Sequence, residues 1–349
     1  MDSTICINGE HLTPADLHDW SRGKSGIHAE LAAFLHEWFS NTATITLQTS
    51  GSTGTPKSLQ ADKAAMRASA AATCRFFGLQ TGQTALHCLP LRYIAGKMMV
   101  VRAIVGKLNL LVQEPTSTPL LNNGEDIDFA PLVPMQIHSI LQQPNGMQAL
   151  QRVRNILLGG GFIQAETEEA LQQCPSAVFA SYGMTETLSH IALRRVNGPA
   201  ASAFYTPLPG VTITLSQRGT LALSAPFIGV DYLETNDIAE LAPNGTFRIL
   251  GRADNVINSG GVKIQAEEIE QALTRTTGLQ VLAFPVPHPC LGQAVGLLWE
   301  GPEDAAPRLQ QAIEQLPRYH RPSTILHAPI PLTATGKPDR PKARGMFDC

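Results

Sequence analysis

The alternation of strand and helix signals is the feature that most constrains how this 349-residue chain can fold. Apolar residues recur at helical spacing over 27–39 and then form a short strand-like run over 44–47, and the alternation continues to about residue 180. Strands that alternate with helices assemble into parallel sheets covered by helices on both faces. The sequence therefore predicts an α/β fold whose ligands bind at the carboxyl ends of the strands.

Periodicity and turn residues assign most of the chain to helices or strands. Helices are expected at 27–39, 61–77, 96–105, 135–141, 166–173, 266–275 and 308–316. Strands are expected at 44–47, 84–89, 108–112, 153–158, 177–180, 211–215, 220–223, 247–250, 281–285 and 294–299. A polar tail is expected after the last helix.

A change in the sequence pattern after about residue 204 divides the chain. Apolar runs between Gly, Pro and Asn turns over about 204–250 predict a small β-rich region that is mostly antiparallel. A second change near Asp254 marks the expected domain boundary. We expect a large N-terminal domain over 1–253, with mainly parallel sheets and helices, and a small mobile α+β domain over 254–349. Two domains agree with a prior of about 150 residues per domain.

Composition excludes several classes of protein. Hydrophobic residues make up 43% of the chain and charged residues 16%, which is too apolar for a disordered protein. The net charge of −3 gives no sign of the excess positive charge by which proteins bind nucleic acid or an anionic membrane. The longest apolar run, 98–112, is interrupted by Arg102 and Lys107 and predicts no membrane span. A polar start without a signal-peptide pattern, together with scattered cysteines, predicts a cytoplasmic enzyme with reduced thiols.

The strongest local signal is a loop rich in glycine and hydroxyl side chains at 49–57. Its glycines let backbone amides turn toward an anion, and Lys57 adds positive charge. A Walker A loop, G-x-x-x-x-G-K-S/T, does not fit, because Pro56 replaces the last glycine and has no N–H. The segment therefore predicts a phosphate-binding loop of another kind. The residues expected to bind phosphate are Thr49, Ser50, Gly51, Ser52, Thr53, Gly54, Thr55 and Lys57.

A second signal follows the expected strand at 177–180. An aromatic ring, a hydroxyl and a carboxylate come close together at Tyr182, Thr185 and Glu186. A tyrosine ring can stack on a purine, a threonine hydroxyl can bond a phosphate oxygen, and a carboxylate is a ligand that Mg²⁺ prefers. Each of the three is also an ordinary packing or capping residue when it is considered alone.

Two weaker signals lie further along the chain. Asp237 and Arg252 lie at turns, and a carboxylate with an arginine suits the hydroxyls of a ribose. Lys337 lies between a glycine and a proline in the stretch 331–340. Taken singly these residues are surface charges, so their meaning depends on their occurring together.

Taken together, the four signals resemble the adenylate-forming enzyme superfamily, which contains acyl-CoA synthetases, adenylation domains and luciferases. The resemblance covers about 44–345, and the signals occur in the order of that superfamily. Two stretches, 89–97 and 182–190, are most similar to the o-succinylbenzoate–CoA ligases of menaquinone biosynthesis.

The resemblance implies a two-step reaction that uses ATP, Mg²⁺ and coenzyme A. A carboxylate attacks the α-phosphate of ATP, pyrophosphate leaves, and a thiol then displaces AMP from the acyl-adenylate. Lys337, Thr185 and Glu186 are implied to be catalytic, with Thr185 also touching ATP and Glu186 binding Mg²⁺. The other residues implied to bind ATP are Gly159, Gly160, Gly161, Ser181, Tyr182, Gly183, Asp237 and Arg252.

The resemblance also implies a hinge at Asp254, about which the C-terminal domain rotates between the two steps. This rotation would carry Lys337 away and bring a second set of residues to the thiol. The residues implied to bind coenzyme A are Ser259, Gly260, Gly261 and Lys263. The residues expected near the acid are Tyr93, Lys97, Ser189, His190 and Arg194.

The chain departs from the superfamily pattern at three places. The segment before the loop at 49–57 is short, which implies a trimmed N-terminal subdomain. Asn236 stands where the pattern T-G-D has its glycine, and asparagine also tolerates a positive φ. Tyr93 stands where many relatives carry a histidine beside the acyl pocket.

Several alternatives stay open for the function. The chain could ligate another aromatic or short-chain acid to coenzyme A, or load a carrier protein, or be a nucleotide-binding regulator without catalysis. The joint presence of Lys57, Glu186 and Lys337 disfavours the regulator. The expected partners are a small carboxylic acid, ATP and coenzyme A, with no nucleic acid and no membrane, and a homodimer is left open.

Overall fold

The computed structural model describes residues 4–48, 58–121, 124–333 and 338–347. The chain divides into two compact units, of which the first is Met1–Ile213 with Leu223–Leu233 and the second is Thr214–Ala222 with Glu234–Cys349. Asp254, where the domain boundary is predicted, lies in a short 3₁₀ turn, Ala253–Asn255. That boundary stays a prediction.

Strands and helices alternate along most of the described chain. The strands are β1 Ile5–Ile7, β2 Glu10–Leu12, β3 Thr44–Gln48, β4 Ser58–Asp62, β5 Thr84–His87, β6 Asn109–Val112, β7 Ile127–Leu132, β8 Val153–Leu158, β9 Ala177–Gly183, β10 His190–Arg195, β11 Thr206–Pro207, β12 Thr212–Leu215, β13 Thr220–Ala225, β14 Val230–Leu241, β15 Phe247–Arg252, β16 Val256–Ser259, β17 Val262–Gln265, β18 Gln280–His288, β19 Gly292–Glu300 and β20 Thr324–His327. The helices are α1 Leu17–Trp20, α2 Gly26–Phe39, α3 Lys63–Phe77, α4 Ile94–Gly106, α5 Pro134–Leu141, α6 Gly146–Gln151, α7 Ala165–Leu171, α8 Ala266–Thr277, α9 Ala306–Glu314 and α10 Arg340–Gly345. Within the described ranges, none of these helices has both the length and the apolar character that crossing a bilayer requires.

A sheet of nine described strands organises the first unit, in the order β11-β10-β9-β8-β7-β5-β6-β1-β2. The strands from β9 to β1 pair in parallel, whereas β2, β10 and β11 run antiparallel to their neighbours. Because parallel strands are covered on both faces, their side chains Leu86, Phe129 and Ile156 are fully buried. The predicted α/β class is confirmed.

The hairpin of β1 and β2 covers one edge of this sheet. Cys6 of β1 pairs with Asn109 of β6, and the Asn109 side-chain oxygen accepts a hydrogen bond of 2.9 Å from the amide of Gly9. The side chain of Asn8 in turn accepts one of 2.9 Å from the amide of Val112. Two asparagine side chains therefore fasten the hairpin to β6.

The alanine-rich helix α3 starts two residues later than predicted. Residues 58–62 form β4, which pairs antiparallel with β3, so the helix begins at Lys63. The carboxylate of Asp62 caps it by accepting hydrogen bonds from the amides of Ala64 (2.7 Å) and Ala65 (3.0 Å). Gly78 ends the helix in the left-handed region, with φ 59°.

Antiparallel sheets and two longer helices follow along the chain. One sheet has the order β12-β13-β14-β15. The other, in the second unit, has the order β17-β16-β19-β18 with β20 beside β19. Helices α8 and α9 share a buried core with this second sheet, including Ile257, Leu273, Val295 and Leu309. The predicted polar tail is wrong in part, because it contains β20 and α10.

Candidate active site

Two of the predicted site segments lie outside the described residues. They are the phosphate loop, with Thr49, Ser50, Gly51, Ser52, Thr53, Gly54, Thr55 and Lys57, and the lysine at 337. The strands on either side of the loop are described, and Gln48 at the end of β3 pairs with Ser58 at the start of β4.

The predicted glycine segment and the predicted tyrosine segment meet at the carboxyl ends of β8 and β9. The hydroxyl of Ser181 donates a hydrogen bond of 2.8 Å to the carbonyl oxygen of Leu158. A Cβ on Gly159 would lie 3.0 Å from that hydroxyl, and Gly160 has a positive φ of 84°. Two sequence signals more than 20 residues apart are therefore adjacent, at the edge of the sheet where α/β proteins bind ligands.

Thr185 and Glu186 lie on a tight 3₁₀ turn that follows β9. The hydroxyl of Thr187 accepts a hydrogen bond from the amide of Met184 (2.9 Å) and lies 2.7 Å from the carbonyl oxygen of Ser189, to which it donates. In the turn that these hydrogen bonds hold together, the side chain of Thr185 is partly buried and that of Glu186 is exposed. The turn presents a hydroxyl and a carboxylate side by side.

The same turn requires two unusual backbone conformations. Leu188 adopts a positive φ of 62°. A Cβ on Gly183 would lie 2.2 Å from the carbonyl oxygen of Ser189, so only glycine fits at that position. Conformations of this kind persist only where the surrounding contacts enforce them.

Tyr182 has an aromatic neighbour, Tyr205, with 6.0 Å between the ring centroids. The guanidinium of Arg194 lies 5.8 Å from the Tyr205 ring centroid. Arg194 also donates to both carboxylate oxygens of Glu168, at 2.8 and 2.9 Å. The charge of this predicted acid-binding residue is therefore already paired by a carboxylate.

Lys97 on α4 and Tyr93 just before it, which are also predicted acid contacts, have neighbours of their own. The ammonium of Lys97 lies 3.8 Å from a carboxylate oxygen of Glu37 and 5.2 Å from the ring centroid of Phe34. Tyr93 precedes the first turn of α4, and the guanidinium of Arg92 lies 4.9 Å from its ring centroid.

Ser189 and His190, also predicted near the acid, belong to a buried polar cluster. The two ring nitrogens of His190 lie 3.2 Å from the Thr73 hydroxyl and 3.3 Å from the Ser189 hydroxyl. Burial lowers the pKa of His190 well below its ordinary value, so its ring is neutral at neutral pH. Arg102 completes the cluster by donating to both hydroxyls.

In the second unit, the two residues predicted to bind ribose lie opposite each other. Asp237 of β14 pairs in register with Arg252 of β15, and Arg252 Nη1 donates a hydrogen bond of 3.1 Å to Asp237 Oδ1. Arg252 Nη2 reaches Asp254 at 2.9 Å, and the Asn236 amide also donates to Asp254, at 3.2 Å. Asp254, the predicted hinge, is therefore tied by side chains to both β14 and β15.

The predicted coenzyme A segment is the turn between β16 and β17. Gly260 and Gly261 both have a positive φ, 58° and 88°, which this tight connection requires. Lys263 is exposed, whereas Ser259 is only 2% exposed. The lysine and the two glycines are at the surface, and the serine hydroxyl is not.

The donor chemistry near Glu186 fits a magnesium ion that is also held by phosphate. Among the described residues, no group of three or more His, Cys, Asp or Glu side chains could hold a metal ion. Mg²⁺ is commonly bound through one or two carboxylates together with substrate phosphates. The exposed carboxylate of Glu186 suits that arrangement.

Sequence reasoning missed Arg102, Tyr205 and Glu168. Arg102 was noted only as an interruption of an apolar run, although a charge inside an otherwise apolar helix signals a buried polar contact. Tyr205 and Glu168 carry no comparable pattern, because their partners Tyr182 and Arg194 are distant in sequence.

Residues 13–222 match the family model described as AMP-binding enzyme. A 2-succinylbenzoate–CoA ligase of Lactococcus lactis is 26% identical over 323 residues, which cover 86% of this chain and 70% of that relative.

Two solved structures are similar over nearly the whole chain. An acyl-CoA synthetase (AMP-forming)/AMP-acid ligase II-like protein from Dyadobacter fermentans is 36% identical, with a TM-score of 0.65, and the alignment covers 95% of this chain and 97% of that one. The o-succinylbenzoate CoA synthetase of Bacillus subtilis, solved with its acyl-adenylate intermediate, is 18% identical, with a TM-score of 0.78 and coverage of 98% and 95%. At that identity the Bacillus structure supports the fold alone.

Proposed function

Because this chain belongs to the family of AMP-binding enzymes, we propose that it activates a carboxylic acid with ATP and transfers the acyl group to coenzyme A. The observation that carries the proposal is the family match over 13–222. A 36% identical structure named as an acyl-CoA synthetase (AMP-forming)/AMP-acid ligase II-like protein supports the same reaction type.

The acid that we propose is o-succinylbenzoate, which places the enzyme in menaquinone biosynthesis. A relative that covers 86% of this chain is named as the ligase for that acid. The acid carries two carboxylates, of which one is activated, so the other requires a polar or cationic partner. Two of the predicted acid contacts, Lys97 and Arg194, are cations. The carboxylate of Glu37 lies 3.8 Å from Lys97, whereas that of Glu168 lies 2.8 Å from Arg194. We therefore propose Lys97 as the partner of the second carboxylate.

In the first step, a carboxylate oxygen of the acid attacks the α-phosphorus and the bond to pyrophosphate breaks. Both reactants are anionic, so the protein must neutralise and align charge. We assign Thr185 to the α-phosphate, Lys337 to the attacking carboxylate and the α-phosphate, and Glu186 to Mg²⁺. Mg²⁺, when bound, would neutralise phosphate charge.

In the second step, the thiol of coenzyme A attacks the acyl carbon, the bond to AMP breaks and the thioester forms. Lys337 is not required in this step, because the attack is on the acyl carbon and the phosphate departs as part of AMP. We propose that rotation at Asp254 exchanges Lys337 for the turn with Gly260, Gly261 and Lys263. The hydrogen bonds of Asp254 to Arg252 and Asn236 support this proposal, because they hold the hinge in one conformation and can be broken when it rotates.

The location and the assembly of the enzyme also belong to this proposal. ATP and coenzyme A are cytoplasmic co-substrates, so we propose that the enzyme works in the cytoplasm. A homodimer stays a prediction, which sedimentation of the purified chain would test.

The experiment that tests the function is acid-dependent release of pyrophosphate from ATP. The panel contains o-succinylbenzoate, benzoate, which is aromatic but lacks the second carboxylate, and acetate. We expect o-succinylbenzoate to give the highest rate and thioester to accumulate when coenzyme A is added. A higher rate with benzoate or acetate would replace the proposed acid, and no release with any acid would favour the nucleotide-binding regulator.

A further inference from the structure

Arg102 is a buried cation whose partners are hydroxyl groups. It lies in α4 and is 3% exposed. Its Nε donates a hydrogen bond of 3.2 Å to the hydroxyl of Thr73, and its Nη2 donates to the hydroxyl of Ser189. Among the described residues, no carboxylate lies within ion-pair distance of its guanidinium.

A buried charge without an opposite charge is costly for stability. Burial lowers the pKa of Arg102 to about 10, which still leaves the group charged at neutral pH. The third polar neighbour, His190, is itself buried and uncharged, so it does not compensate the cation. A group that costs stability in this way is expected to serve a function.

The hydroxyl that Arg102 holds belongs to the tight turn of the candidate active site. The carbonyl oxygen of Ser189 accepts a hydrogen bond of 2.7 Å from the hydroxyl of Thr187. That hydroxyl accepts one of 2.9 Å from the amide of Met184. Ser189 and, through it, Thr187 therefore connect Arg102 to both ends of the turn that carries Thr185 and Glu186.

The turn needs such a support because of its backbone. The positive φ of 62° at Leu188 is strained for a residue other than glycine. The carbonyl oxygen of Ser189 also lies so close to Gly183 that no side chain would fit between them. An arginine suits this task because its planar fork fixes two donors at once, which a lysine cannot do.

We propose that Arg102 is a positioning residue that holds the Thr185–Glu186 turn in place through Ser189 for the first step of the reaction. The proposal rests on the proposed function for its catalytic part. The structural part, that the turn loosens without the arginine fork, can be measured without catalysis.

The test compares Arg102→Lys, which keeps the charge, with Ser189→Ala, which removes the acceptor, and with the double variant. The matched control is Arg75→Lys, because Arg75 is exposed on α3 near Thr73. Three experiments are done with each protein. They are amide hydrogen exchange over 184–189, steady-state kinetics of acid-dependent pyrophosphate release, which give kcat and KM, and thioester formation from supplied acyl-adenylate.

We expect faster exchange over 184–189 in both single variants, with exchange in β7 and β8 unchanged. We expect kcat for pyrophosphate release to fall about tenfold to a hundredfold, in line with the cost of a small misplacement of reacting groups. The KM for the acid should change little and thioester formation should be largely retained. The double variant should lose no more than the worse single variant, because both act through one contact.

Two results would overturn the proposal. The first is exchange over 184–189 that stays as in the unaltered protein, which would show that the turn does not depend on Arg102. The second is a raised KM for the acid with kcat unchanged, which would show that Arg102 and Ser189 contact the acid directly. If the unaltered protein releases no pyrophosphate with any acid, the proposed function fails, whereas the exchange measurement still decides the structural part.

Discussion

Arg340 Nη2 lies 2.8 Å from Glu270 Oε2, which joins the start of α10 to α8. Arg340 Nη1 donates a second hydrogen bond, also of 2.8 Å, to the carbonyl oxygen of Ala283 on β18. Leu332 pairs antiparallel with Pro338. The described residues on either side of 334–337 are therefore paired with each other. Arg340 connects this pair to α8 and β18 of the second unit.

Replacing Arg340 with alanine should lower the free energy of unfolding of the second unit by about 1–3 kcal/mol, because it leaves the half-buried Glu270 carboxylate without its cation. Burial already raises the pKa of Glu270, with Arg340 opposing the rise. Urea unfolding measures the effect, and the double variant Arg340→Ala with Glu270→Gln should recover part of the loss. The control is Arg344→Ala on the exposed face of α10. Equal stability of the Arg340 and Arg344 variants would contradict the prediction.

Replacing Lys337 with alanine should separate the two half-reactions. The charge is needed where the carboxylate attacks the α-phosphate, so pyrophosphate release should fall about 10²–10³-fold, the usual effect of removing one such stabilising group. Thioester formation from supplied acyl-adenylate should survive. Lys342→Ala, at an exposed position on α10, is the control. An equal loss of both half-reactions would argue against the exchange of conformations at Asp254.

Asp237→Asn should weaken the binding of ATP more than it slows the chemical step. The Asp237 carboxylate accepts a hydrogen bond of 3.1 Å from Arg252 and is assigned to the ribose hydroxyls. Loss of a charge-assisted hydrogen bond costs about 1.5–3 kcal/mol, so KM for ATP should rise about tenfold to a hundredfold. Steady-state kinetics with saturating acid measure it, with Asp231→Asn at the exposed start of β14 as control. A KM that stays unchanged would remove Asp237 from the nucleotide site.

His87→Leu should make the protein less sensitive to acid. Burial lowers the pKa of His87 from 6.5 to about 4, with His28 adding to the decrease, and neither ring nitrogen has a hydrogen-bond partner within the described part of the chain. As the pH falls below 6.5, the unfolded chain takes up a proton that the folded protein refuses until about pH 4, so stability is lost over that range.

The size of this effect follows from the same shift in pKa. Between pH 7.5 and pH 5, the unaltered protein should lose about 2 kcal/mol more than His87→Leu. Chemical denaturation at both pH values measures the difference, and His11→Leu at an exposed position should behave as the unaltered protein does. An identical loss in all three proteins would mean that His87 titrates normally.

Much of the fold could be predicted because long periodic elements dominate it. The strand at 153–158 and the helix start at Ala266 agree with the structure, since each lies between clear turn residues. The strand β7 was missed because Asp128 and Pro131 interrupt its apolar run. β10 was missed because it follows a turn whose hydrogen bonds are made by side chains, which no periodicity records.

The candidate site was predictable only in part for a related reason. Residues that a motif carries, such as Tyr182 and Arg252, could be proposed from the sequence. The contact between Arg102 and Ser189 could not be proposed, because the two residues meet across 87 residues of chain and nothing in the sequence links one to the other. Long-range contacts of this kind depend on which turn of the chain the packing of α4 brings close to Arg102, and sequence spacing does not encode that packing.

The asparagine-fastened hairpin of β1 and β2 has a consequence for anyone who shortens or tags this protein at its start. Without it, the backbone groups of β6 that now pair with Cys6 would be open to strands of other molecules. A truncation that begins after Leu12 would therefore promote aggregation through that exposed sheet edge, even if the Thr185–Glu186 turn stayed intact.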